Sequence, residues 1–318
     1  MARVMGQKHD LPTATSASTP RDRRSFWAIA YALATACALA ACASSGRSPA
    51  AVSTRGLTRA MRNWNEPAVP CRIAGNIYFV GTNELAIYLI VTPAGNILLD
   101  SGFEESVPLV QESVRKLGFR FEDIKLLLAS HAHNDHVAGH ARVKELTGAR
   151  VLATAPDAAI MRAGGGGPLA LGIAWRPVVV DEIVRDGQTV ELGGTVLVAH
   201  LTAGHTPGAT TWTMTVDEGG QKLAVLFFSS STLFEETPLR GNQDYPTIAE
   251  DFERSYAIWR ALPCDVFLAP HTGFFHLADK RAAALRGQVP NPFIDPEGWK
   301  ALISVQEANF RRRLAAAK

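Results

Sequence analysis

Apolar residues along this chain recur in two spacings: short aliphatic or β-branched runs, and longer stretches with helical periodicity. Residues 77–80, 86–91 and 96–100 are runs of the first kind. They are separated by Gly81-Thr82-Asn83 and Pro93-Ala94-Gly95, and predict three strands joined by turns. Residues 105–117 place Val107, Val110, Val114 and Leu117 three or four apart before Gly118, which predicts a helix with a glycine stop. A continuous apolar strand is predicted over 124–129, then a helix over 137–146 ending near Gly148 and a strand over 151–154. The four glycines at 164–167 predict a mobile loop. Further strands are predicted at 195–201, 210–216 and 222–228. A helix over 248–262, a buried strand at 266–269 and a last helix over 296–317 complete the pattern.

The order of strands, helix, strand and helix occurs twice, so the pattern predicts an α+β chain of two similar halves, each a sheet covered by helices. Of the 318 residues, 47% are hydrophobic and 19% charged, a balance able to fill a sizeable core. The net charge of +2 comes from the start of the chain. Residues 1–42 carry five basic and two acidic side chains, which leaves the remainder near neutrality, without a basic stripe for nucleic acid.

That first segment reads as an export signal. Arg21-Asp22-Arg23-Arg24 precedes an apolar stretch over 26–41, too short and too rich in alanine for a membrane span. Leu39-Ala40-Ala41-Cys42 resembles a bacterial lipobox, which implies a lipid anchor at Cys42; ordinary cleavage after Ala43 also satisfies the small-residue rule. Arg23-Arg24-Ser25-Phe26 resembles a twin-arginine signal. The expected organisation is a lipoprotein-type signal at 1–42, a tether at 43–60 rich in Ser, Ala, Arg and Thr, and one domain at 61–318 in the periplasm. Cys71 and Cys264 remain as a candidate disulfide or as two separate buried thiols.

The chemistry is concentrated in histidines. His131, His133, Asp135 and His136 fall within six residues immediately after the apolar strand at 124–129. In an extended segment His131 and His133 point the same way, so both imidazoles reach one ion, while Asp135 and His136 turn toward a second. His205 lies in the turn Gly204-His205-Thr206-Pro207-Gly208, and His271 in Pro270-His271-Thr272-Gly273 after a buried strand. All three segments lie at strand ends, where loops converge on one rim of a sheet. His140, one turn beyond His136, reads as an exposed helical residue, with support of the site as the alternative, and His200 and His276 read as structural or supporting residues.

The run His-x-His-x-Asp-His, the later Gly-His-Thr-Pro-Gly and the late histidine together resemble the metallo-β-lactamase superfamily. Trp64-Asn65-Glu66-Pro67, Lys116-Leu117-Gly118-Phe119, Ser130-His131-Ala132-His133, Ala261-Leu262-Pro263-Cys264-Asp265 and Asn291-Pro292-Phe293 resemble its subclass B3. The resemblance covers about residues 64–310 and implies a four-layer αβ/βα sandwich. It implies two Zn2+ per chain, one held by His131, His133 and His205, the other by Asp135, His136 and His271. Asp135 would also act catalytically by orienting the attacking water, with Asp100 supporting the site or the fold. Ser231 stands where relatives in the superfamily place a bridging Asp or a zinc-binding Cys and is expected to hydrogen-bond a substrate carboxylate or an ordered water. Leu233 replaces the second serine that close relatives carry, and Trp175 is expected to face the site and stack on a substrate ring.

The resemblance implies a zinc-dependent β-lactamase acting as a monomer on a small-molecule β-lactam and conferring resistance. Two rivals stand beside it: a lactonase or thioesterase of the same fold, and a non-catalytic zinc-binding lipoprotein that buffers metal. The missing bridging Asp argues against the first. Six ligand residues, with no apparent losses, argue against the second.

Overall fold

A computed structural model describes residues 58–317. The predicted signal, the lipidation site Cys42 and nearly all of the tether lie outside the described residues. After a short helix α1 (Arg59–Trp64), the first sheet runs β1 (Cys71–Ala74), β2 (Ile77–Phe79), β3 (Tyr88–Thr92), β4 (Gly95–Leu99), β5 (Ile124–Leu128), β6 (Arg150–Thr154) and β7 (Glu182–Val184), adjacent in that order. Strands β1 to β4 pair antiparallel and β4 to β7 parallel. The parallel crossovers carry α2 (Val107–Lys116), α3 (Asn134–Val137), α4 (His140–Thr147) and α5 (Ala155–Ala163).

The second sheet contains β8 (Thr189–Leu192), β9 (Thr195–Leu201), β10 (Thr210–Glu218), β11 (Gln221–Phe227) and β12 (Val266–Leu268). Again an antiparallel meander ends in a parallel pair, β11 with β12, joined through α6 (Ile248–Ala261). Helices α7 (Leu277–Leu285) and α8 (Pro296–Ala316) close the chain. The two predicted halves are therefore present, in an αβ/βα sandwich.

Side-chain alternation builds the layers. In β4, Ile97 and Leu99 face the core between the sheets, while Leu98 faces the core under α2 and α4. All three are buried, as expected for a strand covered on both faces. In β10, Trp212, Met214 and Val216 point inward and Thr213, Thr215 and Asp217 outward. Two hydrogen bonds stitch the sheets together at the rim that carries the histidines. Trp212 Nε1–H donates to the Ala129 carbonyl at 3.0 Å, and the Tyr88 hydroxyl donates to that of Ala269 at 2.6 Å.

The structure departs from the pattern reading in identifiable places. The helix predicted over 137–146 is broken at Ala138-Gly139, where the Gly139 N–H donates to the Gly102 carbonyl. A Cβ on Gly139 would stand 2.8 Å from the Ser101 carbonyl oxygen, so the chain passes too close for any other residue. The glycines at 164–167 form a closed turn, in which Gly166 N–H bonds to Ile173 O and Trp175 N–H to Gly164 O. Strands β1, β7 and β8, with three or four residues each, and the alanine-rich helices α5 and α7 have no counterpart in the pattern reading. Cys71 and Cys264 are free thiols, half-buried, and burial pushes them up to about 11 and about 12.

Candidate metal centre

Strand β5 delivers the chain to the rim, and Asp100 at the end of β4 receives it. The Ser130 N–H and hydroxyl both donate to the Asp100 carboxylate at 2.7 Å. Asp100 adopts φ 63°, a left-handed conformation that Asp tolerates better than most residues, and is almost fully buried. Beyond Ser130, His133 stays extended (φ −103°, ψ 158°) and α3 begins at Asn134, which places Asp135 and His136 in its single turn, with the His136 ring centroid 4.2 Å from that of His131.

His131 and His133 meet His205 from the β9–β10 turn. Ring centroids are 4.9 Å apart for His131–His133, 4.6 Å for His131–His205 and 4.6 Å for His133–His205. Asp135 and His136 meet His271, which follows β12. The Asp135 carboxylate lies 3.3 Å from His136 Nε2 and 3.4 Å from His271 Nε2. The two groups of three therefore assemble as the family resemblance implies, with the donor atoms in each group within 4.8 Å of one another.

Proton placement follows from the neighbours. The Thr232 carbonyl, 2.7 Å from His205 Nδ1, can only accept, so Nδ1 carries the proton and Nε2 offers a lone pair to the cluster. Asp100 Oδ2, 3.2 Å from His136 Nδ1, orients that ring in the same way. The Ser130 hydroxyl, spent on Asp100, accepts from His131 Nδ1 at 3.1 Å. One carboxylate thus orients an imidazole in each group, directly for His136 and through Ser130 for His131.

Electrostatics keep these groups ready for a cation. Burial, with the neighbouring imidazoles, holds His131 and His205 well below their ordinary range, and burial lowers His133 to about 4. Burial opposes ionisation of Asp135, yet His136 and His271 hold its carboxyl well below the usual range. Burial would also lower His136, but Asp135 and Asp100 raise it to about 10. In place of a metal, a proton would thus balance that carboxylate.

The donor set fits metal ions. His136 Nε2 is buried without a hydrogen-bond partner and faces a carboxylate and a second imidazole. A tetrahedron with arms of about 2.05 Å has edges of about 3.3 Å. The separations of 3.3 and 3.4 Å around Asp135 match those edges.

The two groups open into a cavity of about 450 Å³, whose walls include Met61, Trp64, Leu171, Ile173 and Phe234. Trp64 meets His271 edge-on at 5.6 Å, and Phe234 leans on His205 at 5.5 Å. Two expected substrate residues are elsewhere. Trp175 is buried in the core between the first sheet and its helices, its ring against Gly165, and does not line the cavity. The turn at 164–175 folds back on itself and presents Leu171 and Ile173 instead. Ser231 is also turned under, its hydroxyl toward Tyr256 without a well-formed hydrogen bond, while Ser230 and Thr232 line the cavity. Alternate residues of an extended segment face opposite ways, so a shift of one residue in alignment exchanges the cavity-lining residues for the one turned under. His140, read as exposed, is fully buried and bonds through Nδ1 to the Ser101 hydroxyl at 2.7 Å.

Residues 85–217 match the family model of the metallo-β-lactamase superfamily. The FEZ-1 metallo-β-lactamase of Legionella gormanii is 43% identical over 78% of this chain and 96% of its own, with a TM-score of 0.76. The chain belongs to the metallo-β-lactamase superfamily. Within it, the chain resembles BJP-1, a subclass B3 metallo-β-lactamase of Bradyrhizobium japonicum, at 38% identity over 81% of this chain and 97% of that one, with a TM-score of 0.76. It also resembles a metallo-β-lactamase of Cronobacter sakazakii described by its HARLDQ motif, at 39% identity over 81% of this chain and 98% of that one, TM-score 0.75. Here the run reads His131-Ala132-His133-Asn134-Asp135-His136, with imidazoles at the third and sixth places.

Proposed function

We propose that this chain is a zinc-dependent β-lactamase that opens the β-lactam amide of penicillins, cephalosporins and carbapenems with two zinc ions. The observation that carries the reading is the pair of three-ligand groups, His131/His133/His205 and Asp135/His136/His271, open to one apolar-walled cavity. Zinc held by such ligands supplies a water of near-neutral pKa and a Lewis acid for the carbonyl oxygen.

The chain's own residues supply the remainder. His131, His133 and His205 are kept neutral by burial; Ser130 and the Thr232 carbonyl orient His131 and His205, and Asp100 orients His136. Asp135, ionised and on the cavity wall, accepts a hydrogen bond from the attacking water and orients it. Ser230 Oγ accepts from the Thr232 N–H at 3.1 Å, which leaves its own proton free for a substrate carboxylate. Met61, Trp64 and Phe234 supply apolar contact for the ring system and its substituents. Residues 229–233 contain neither Asp nor Cys, which favours a lactam over a lactone or thioester.

The decisive experiment compares a penicillin, a cephalosporin, a carbapenem and a homoserine lactone, with and without a chelator. It is run on periplasmic and membrane fractions of cells expressing the full chain, since the leader supports export. Lactam turnover at least a hundred-fold above lactone turnover, abolished by chelation and restored by zinc, is expected; chelator-insensitive turnover would sink the reading. Ser230→Ala should raise KM for a penicillin about ten-fold with kcat little changed, in line with loss of one hydrogen bond to a charged group, about 1.5 kcal/mol. Ser231→Ala should leave KM unaltered. An unchanged KM in Ser230→Ala would return the substrate carboxylate to another group.

A further inference from the structure

Asp157 is a buried carboxylate that the reaction as described does not use. It is the third residue of α5 and 2% exposed. Its Oδ2 accepts from the Ala132 N–H at 2.8 Å and from the Thr206 hydroxyl at 3.1 Å, and its Oδ1 accepts from the Gly208 N–H at 3.0 Å. Ala132 lies between His131 and His133, and Thr206 directly follows His205. One side chain therefore bonds beside every member of the three-imidazole group and bridges the two loops that bring them together.

We propose that Asp157 is a positioning residue, clamping the His131–His133 segment to the His205 turn and so setting the metal affinity of the three-imidazole group. The proposal rests on the reading of that group as a metal site.

Several observations converge on the clamp. Both carboxylate oxygens are taken up by donors from the two loops, so the group does not serve as a cap for α5. No Lys or Arg among the described residues forms an ion pair with it, and burial raises its carboxyl to about 7 despite three donors. A buried carboxylate of this kind adds little net stability compared with an apolar side chain of similar volume. What it adds is a fixed spacing. Gly208 is shaped to it: a Cβ there would lie 2.5 Å from Asp157 Oδ1 and 2.5 Å from Thr154 Oγ1. The Thr154 hydroxyl in turn donates to the Gly208 carbonyl at 2.7 Å, which holds the turn from the other side. The second glycine of Gly204-His205-Thr206-Pro207-Gly208 is thus required by the carboxylate rather than by the turn alone.

The test is zinc binding by Asp157→Asn, measured by competition with a chromogenic chelator alongside the thermal melt of the metal-free protein. An amide leaves one oxygen where two accepted, and its NH2 must face the N–H of either Ala132 or Gly208, so one loop is released. The expected result is a ten- to hundred-fold weaker affinity for one of two zinc ions, the range for residues that orient metal ligands, with the other affinity retained. Activity lost at limiting zinc should return with excess zinc.

Thr206→Val, which keeps the carboxylate but removes one donor, should weaken the same zinc ion several-fold. It decides the matter if the Asn variant does not fold. Parental affinity for both zinc ions in either folded variant would overturn the clamp, as would equal weakening at both ions together with a fall in the metal-free melting temperature. A parent protein that binds no zinc would instead overturn the metal reading itself, whatever the variants do.

Discussion

Replacing Asp135 by asparagine is expected to lower kcat/KM for a β-lactam on the order of a thousand-fold, about 4 kcal/mol of transition-state stabilisation. The side chain keeps its shape and loses its charge. In the parent, the carboxylate lies 3.3 Å from His136 Nε2 and 3.4 Å from His271 Nε2, as the anionic member of its group. It is held ionised at neutral pH against the cost of burial. Asparagine removes the anionic ligand, so the second metal is bound far less tightly. It also removes the acceptor proposed to orient the attacking water. His131, His133 and His205 do not depend on this charge for their placement, so one zinc per chain should remain. Single-turnover hydrolysis with metal analysis separates the two effects. Activity within ten-fold of the parent, with one zinc lost, would show that this residue is a ligand without a catalytic share.

The largest effect on stability is expected from Trp259→Ala, a loss of about 3–5 kcal/mol and a fall of roughly 10 °C in Tm. Trp259 is completely buried on α6, in ring contact with Phe228 at 5.0 Å and Tyr256 at 5.2 Å. Its Nε1–H donates to the Thr211 hydroxyl at 2.8 Å, and Thr211, Thr202 and Ser229 form a closed set of hydroxyl contacts. Those three residues stand at the ends of β9, β10 and β11, directly beside the His205 turn and Ser230. The substitution therefore opens a cavity and leaves a buried hydroxyl network short of a donor. Trp259→Phe should retain most of the ring packing and lose about 1 kcal/mol, the share of the hydrogen bond. Thermal melts of the two variants check both figures; an alanine variant that melts within 3 °C of the parent would mean that the outer helices repack freely.

The metal groups were legible in the chain because metal chemistry admits few residue types and places them on loops after strands. Period-two alternation already sets His131 and His133 apart from Asp135 and His136, while the assignment of His205 to the first pair and of His271 to the second came from the resemblance to the metallo-β-lactamases. The strands that frame them were legible for a related reason. A run such as residues 96–99 is buried on both faces, so its composition alone marks it. Edge strands β7 and β8 lack that signal, because they are short, one side is solvated, and Glu182 and Glu191 interrupt any apolar run.

The substrate wall was not legible in the same way. Ser230 and Thr232 face the cavity and Ser231 does not, and in an irregular segment this parity depends on how β11 leaves the sheet. Trp175 has the composition of a stacking residue, yet the turn closed by Gly164 and Gly165 folds its ring into the core. Met61 and Trp64 reach the site from α1, far from the histidines in sequence.

The chain by itself determined the ligand inventory, the order of its two halves and the strand ends at which the ligands lie, because residue type and local periodicity are properties of the chain. Only the tertiary structure decided which hydroxyls and rings face the cavity. It gave Asp100, expected only to support the site or the fold, its bonds to Ser130 and His136, and it alone showed that Asp157 bridges the two histidine loops. Those contacts depend on side-chain direction and on loops meeting across two sheets, which are settled by packing rather than by local sequence.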